Sequence, residues 1–137
     1  FVPWSRAVVA GATIDEMEAI ERKEDPEKAA LDKAAVEEYV HTSGATVIAK
    51  KGATFYAVAV SVCRLCSILL AASDSIITVS SMLHGQYGIE DVCLSTMASI
   101  GPDGVRRIVQ VPLTDEEISR LQASADSLKK VIAQIEL

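Results

Sequence analysis

The chain has 137 residues, half of them apolar, 23% charged, only 4% aromatic, with a formal net charge of −6. That is one domain's worth of chain, long enough for a core and too apolar for disorder or a low-complexity repeat. The acidic balance excludes a nucleic-acid module, which needs a basic face, and three cysteines with no secretory segment exclude a disulfide scaffold and point to the cytoplasm.

The sequence opens Phe1-Val2-Pro3-Trp4 rather than with Met, and no charged-then-apolar targeting segment follows. The expectation is a processed chain or the later part of a longer one. Thr13-Ile14-Asp15-Glu16 reads as a capping box that opens a short helix over 14–23. Asp25-Pro26-Glu27 reads as a second helix start, an N-cap followed by proline where its missing N–H costs nothing. Leu31, Ala35, Tyr39 and Val40 keep helical spacing through to Ala49, with a bend expected at Ser43-Gly44. Residues 15–38 hold ten acids against four bases, read as a solvated outer face. Lys50-Lys51-Gly52 ends the helix, with cations at its negative pole and glycine as the C-cap signal.

Phe55 to Ala72 is an 18-residue apolar run with one charge, Arg64. Its length approaches a membrane span. A central arginine, which costs about 2.5–3.5 kcal/mol on insertion scales, and the alanine and serine content argue against one. A helix apolar nearly all round is one buried by neighbours, and this one is too apolar for a lone domain of this size. Beyond it the period changes. Ser75–Ser80, Val92–Ala98 and Val105–Val111 read as strands, the last two joined by a Gly101-Pro102-Asp103-Gly104 turn and the final strand ended by Pro112. Thr114-Asp115-Glu116-Glu117 is a second capping box. Ile118, Leu121, Ala125, Leu128, Val131/Ile132 and Ile135 then mark one apolar stripe running to the C-terminus. The order gives an α+β fold, antiparallel strands packed by long helices, with no Gly-rich strand–loop–helix unit for nucleotide phosphates.

Few residues carry obvious chemistry. Cys63-x-x-Cys66 falls mid-helix in apolar surroundings, where buried free thiols are expected rather than a redox pair, and Cys93, His41 and His84 have no metal-ligand spacing. His41 and His84 read as ordinary surface or loop histidines. Thr54, after Gly-Ala and before the apolar helix, suits an N-cap. A hydroxyl at that helix mouth also suits contact with a small anionic ligand, and local pattern leaves both roles open.

Lys50-Lys51-Gly52-Ala53-Thr54-Phe55-Tyr56-Ala57-Val58-Ala59 resembles the KGATxYxxA segment of NAD-dependent L-lactate dehydrogenases. Pro3-Trp4-Ser5 with Gly11, Ile76–Ser81 with Tyr87-Gly88-Ile89-Glu90-Asp91-Val92, the stretch from Gly104-Val105, and Leu113–Leu128 resemble further segments of that family in the same order. The resemblance covers residues 1–137 and implies one domain, the C-terminal substrate-binding and oligomerisation domain, without the family's Rossmann domain. It implies reversible hydride transfer between NADH and pyruvate, giving L-lactate. The catalytic histidine, its aspartate and the substrate-handling arginines are expected upstream, so no catalytic residue falls in this chain and the chain alone is expected to be inactive. Thr54 aligns with the threonine beside the bound 2-oxo acid. Val58 aligns with an aliphatic residue near the nicotinamide ring, and core packing is its plainer role.

The implied partners are a 2-oxo or 2-hydroxy acid, the N-terminal dinucleotide-binding part and further copies in a homotetramer; no nucleic acid, membrane or metal is implied. Ser43-Gly44-Ala45 stands where the family usually has Ala-Ala-Tyr, and its smaller wall leaves room for a larger 2-oxo acid. Malate or another L-2-hydroxy acid as substrate is the alternative within the family. Outside it, the alternative is a non-catalytic interaction module whose apolar helix docks a partner.

Overall fold

The computed structural model describes residues 1–71 and 73–135, which fall into two compact units, Phe1–Thr54 and Phe55–Leu137. Among the described residues no single helix is long and apolar enough to cross a membrane.

The first unit opens with a short 3-10 turn, Trp4–Arg6, and then a small hairpin that the sequence reading missed. Its strands β1 (Val8–Val9) and β2 (Ala12–Thr13) flank Ala10 and Gly11, at φ +51° and +89°. Two successive positive-φ residues match the twist of a tight two-residue turn. Helix α1 (Ile14–Glu24) starts as expected. Thr13 Oγ1 accepts from the Glu16 N–H at 3.2 Å, and the Glu16 carboxylate accepts from the Thr13 N–H at 2.8 Å. The Thr13 N–H, with the Thr13 hydroxyl after it, holds the Glu16 carboxyl below the usual carboxylate range.

Helix α2 (Lys33–Lys51) does not begin at Asp25-Pro26. There the Asp25 side chain accepts from the Glu27 N–H at 3.1 Å and closes a local turn that goes no further. An Asp-Pro pair serves a turn as well as a cap. The cap is Asp32, whose carboxylate accepts from the Ala35 N–H at 2.9 Å. The helix passes Ser43-Gly44 without a break, and Gly52 ends it at φ +80°, where a side chain would be strained. Polar contacts tie the unit together. Trp4 Nε1 donates to Glu37 at 2.8 Å, and Lys33 pairs with Asp15 at 3.0 Å while lying over the Trp4 ring. Among the described residues, none in this unit is buried.

The second unit carries the core. Helix α3 (Tyr56–Leu70) leads into β3 (Ser75–His84), β4 (Glu90–Gly101) and β5 (Gly104–Ile108), an antiparallel sheet in the order β3-β4-β5. The Gly101–Gly104 turn forms where expected. Pairing with β4 ends β5 at Ile108, short of the expected Val111, because only the Val109 N–H still reaches back, to the Met97 carbonyl. Alternation puts Ile77, Val79 and Leu83 on the same face as Val92, Leu94, Ala98 and Ile100, and two helices cover that face. Helix α4 (Asp115–Ile132) covers one end through Leu121 and Ala125, and α3 the other through Leu65, Ile68 and Leu69. Full burial of a side chain such as Leu83 is worth about 1.5–3 kcal/mol.

The buried carboxylate of Glu117 is explained by the second capping box, where it accepts from the Thr114 N–H at 3.0 Å. The apolar stripe of α4 is buried only as far as Ala125; Leu128, Val131, Ile132 and Ile135 are exposed, and residues 136–137 lie outside the described residues. The β3–β4 connection is pinned from both sides. Tyr87, at φ +56°, donates its hydroxyl to the Val111 carbonyl at 3.2 Å and accepts on its carbonyl from Gln122 at 2.8 Å.

Candidate functional site

The segment singled out by sequence begins at the end of α2. The Gly52 N–H donates to the Ile48 carbonyl at 2.7 Å, and the chain then runs without regular structure over 53–55 into α3. Thr54 does not cap that helix. The N-cap is Phe55, whose side chain makes no capping hydrogen bond. The Thr54 side chain is exposed and makes no hydrogen bond among the described residues. The first turn of α3 holds no acid beside the positive pole of the helix. The two roles left open for Thr54 are therefore separated by one residue of helix boundary.

Val58 lies in the first turn of α3 and is 57% exposed. With Ser61, Leu65, Ile77 and Val79 it lines an open, apolar groove of about 590 Å³ between α3 and β3. This groove escaped the sequence reading, although Val58, Ser61 and Leu65 stand at i, i+3 and i+7 on one helix face.

The expectation that α3 is buried fails within this chain. Only Ile68 is buried, while Val60, Val62 and the 88%-exposed Leu70 face outward. The sheet has one helix-length of surface to offer, and α3 is apolar on more sides than that surface can cover. Ala72, the expected last residue of the helix, lies outside the described residues. The same geometry corrects the cysteines. Cys63 and Cys66 are free, as expected, but exposed rather than buried, and so is Cys93 on the uncovered face of the sheet. His41 and His84 are exposed; His84 ends β3 opposite Glu90. Among the described residues, no three His, Cys, Asp or Glu side chains gather as metal ligands.

A family model described as the lactate/malate dehydrogenase, alpha/beta C-terminal domain, matches residues 1–137. An L-lactate dehydrogenase of Acetivibrio thermocellus is 39% identical over 134 residues, 98% of this chain and 41% of that relative. The solved L-lactate dehydrogenase of Clostridium thermocellum superposes with a TM-score of 0.80 at 36% identity, over 98% of this chain and 42% of that one. A malate dehydrogenase of Archaeoglobus fulgidus, solved with NADH, gives a TM-score of 0.69 at 36% identity, over 75% of this chain and 35% of that one. The chain thus spans about four-tenths of the length of the Acetivibrio thermocellus relative. The helices, the antiparallel sheet and the Gly52–Val58 segment therefore rest on one ancestry: the chain belongs to the lactate/malate dehydrogenase family, as its α/β C-terminal domain.

Proposed function

We propose that residues 1–137 form the substrate-binding and oligomerisation domain of an NAD-dependent L-lactate dehydrogenase that interconverts pyruvate and L-lactate in the cytoplasm. The observation that carries this reading is the exposed Thr54 hydroxyl, which makes no hydrogen bond among the described residues. A threonine hydroxyl with no structural task suits the carboxylate or carbonyl oxygen of a small 2-oxo acid. The exposed aliphatic surface of Val58 suits the nicotinamide ring, since apolar walls exclude water from a reacting carbonyl. Nicotinamide dinucleotide, when bound, supplies or accepts the hydride.

The proton donor, the carboxylate-holding arginine and the coenzyme seat belong to an N-terminal dinucleotide-binding part. The 137-residue chain alone therefore turns over no substrate. A first unit without buried residues and an α3 largely uncovered fit a chain that closes its core against other surfaces, the homotetramer included. Among 2-oxo acids, Ser43-Gly44-Ala45 favours tolerance of a larger side chain, and Gly44 has open space where a Cβ would stand. Malate or another L-2-hydroxy acid is the second reading, favoured by the 36% identity to the malate dehydrogenase of Archaeoglobus fulgidus. The lactate reading has the broader support, from relatives matched over nearly the whole chain.

The test is a chimera in which residues 1–137 replace the matching part of the Acetivibrio thermocellus L-lactate dehydrogenase. Thr54→Gly in this chimera is expected to shift kcat/KM by about tenfold toward bulkier 2-oxo acids over pyruvate, the size of effect one small group has on a pocket. An unchanged ratio would remove Thr54 from the pocket.

A further inference from the structure

Residues 39–73 hold none of the chain's 19 acids, although they hold three of its 13 lysines and arginines, Lys50, Lys51 and Arg64. Thr54 stands near the middle of this window. The apolar α3 has no place for acids, but α2 over Tyr39–Lys51 is exposed save for Ser43 and lacks them too, where a solvated surface ordinarily mixes both signs. Lysines at a helix C-terminus complement its dipole, which accounts for the cations but not for the missing acids. The last turns of α1 and α4 also carry cations, and there acids stand close by. Arg22 pairs with Glu18 at 3.1 Å, and Asp126 precedes Lys129 on the same helix. On α2 the acid nearest Lys50 is Glu38, about 18 Å back along the axis. The Lys50 ammonium is exposed and makes neither an ion pair nor a hydrogen bond among the described residues.

We propose that Lys50 is a steering residue, whose charge draws the carboxylate of the 2-oxo acid toward Thr54. The inference rests on the lactate dehydrogenase reading, in which Thr54 borders the substrate. A 2-oxo acid carries a full negative charge at neutral pH, and a chain of net charge −6 repels it over most of its surface. The acid-free stretch around Lys50 is where attraction prevails. Four residues of chain lead from Lys50 to Thr54, at most about 14 Å if extended and less with the left-handed turn at Gly52. Unit charges about 10 Å apart in water change an equilibrium constant by roughly twofold. That is too weak to hold a ligand, but it raises the local concentration of an anion. Lys50 therefore acts on the approach of substrate and not on hydride transfer.

Steady-state pyruvate reduction by the chimera, at saturating NADH and from about 20 to about 300 mM salt, tests this. At low salt Lys50→Gln is expected to lower kcat/KM about twofold and Lys50→Glu about fourfold, each through KM with kcat unchanged. Lys50→Arg, which keeps the charge, is expected to match the unsubstituted chimera. At high salt all four converge, because screening removes what the charge supplied. Unchanged far-UV circular dichroism verifies that each variant is folded. A lysine serving only the helix end would alter thermal stability and leave the dependence of kcat/KM on salt the same in every variant. That result, or a loss confined to kcat, overturns the proposal while pyruvate turnover, and with it the lactate dehydrogenase reading, stands. A chimera that folds and binds NADH yet reduces no pyruvate overturns that reading and this inference together.

Discussion

Thr96 offers a sharp test of the core. It lies on the covered face of β4, opposite Val79 and two residues from both Leu94 and Ala98; it is 8% exposed, and its hydroxyl has no hydrogen-bond partner. Ser81, diagonally across the ladder, has a second unpartnered hydroxyl, and the pair falls between the α3 and α4 clusters. A buried hydroxyl that loses water without gaining a partner costs about 1–3 kcal/mol. Thr96→Val replaces it with a methyl of nearly the same size, removing that cost without opening a cavity. The variant is expected to be more stable by about 1–3 kcal/mol, or roughly 3–4 °C in Tm for each kcal/mol at this chain length. Urea unfolding reads the change as a higher midpoint at unchanged slope. Thr78→Val, on the exposed face of β3, is the control and is expected to stay within about 0.5 kcal/mol of wild type. A loss of stability in Thr96→Val would mean that the hydroxyl is satisfied in solution, and the reasoning would fail.

Two further outcomes follow from the same structure. Leu83→Ala, at a fully buried position between the sheet and α4, is expected to cost about 2–5 kcal/mol; a loss under about 1 kcal/mol in the urea midpoint would mean that the core collapses around the gap. Glu16, whose folded pKa is lowered by the Thr13 N–H and hydroxyl, contributes stability fully above its unfolded pKa of about 4.3 and loses it as pH falls through the folded value. Wild type is therefore expected to lose more stability than Glu16→Gln between about pH 5 and about pH 3, and parallel pH curves would contradict the capping box.

Local signals were legible in the sequence wherever one short pattern has one structural outcome. The Thr13–Glu16 and Thr114–Glu117 boxes, the Gly52 cap and the Gly101–Gly104 turn all stand where their residues put them. Asp25-Pro26 misled because the same atoms close a turn as readily as they open a helix. The Val8–Thr13 hairpin was missed because strands of two residues are too short for alternation to register. Burial was the least legible property. The composition of α3 says that it must be covered, but the sheet covers only its Leu65, Ile68 and Leu69 face, and exposed thiols follow on the others. At the candidate site, the resemblance located Thr54 and Val58, while only the position of the Phe55 cap frees the Thr54 hydroxyl from a structural task.

The central claim is that these residues serve as the substrate side of a lactate dehydrogenase and need a dinucleotide-binding part to act. The most direct measurement is NADH oxidation with pyruvate by the chimera carrying residues 1–137, beside the 137-residue chain alone. The account predicts pyruvate-dependent turnover by the chimera and none by the chain. A chimera that folds and binds NADH yet leaves pyruvate unreduced, or a chain that reduces it unaided, would contradict the account.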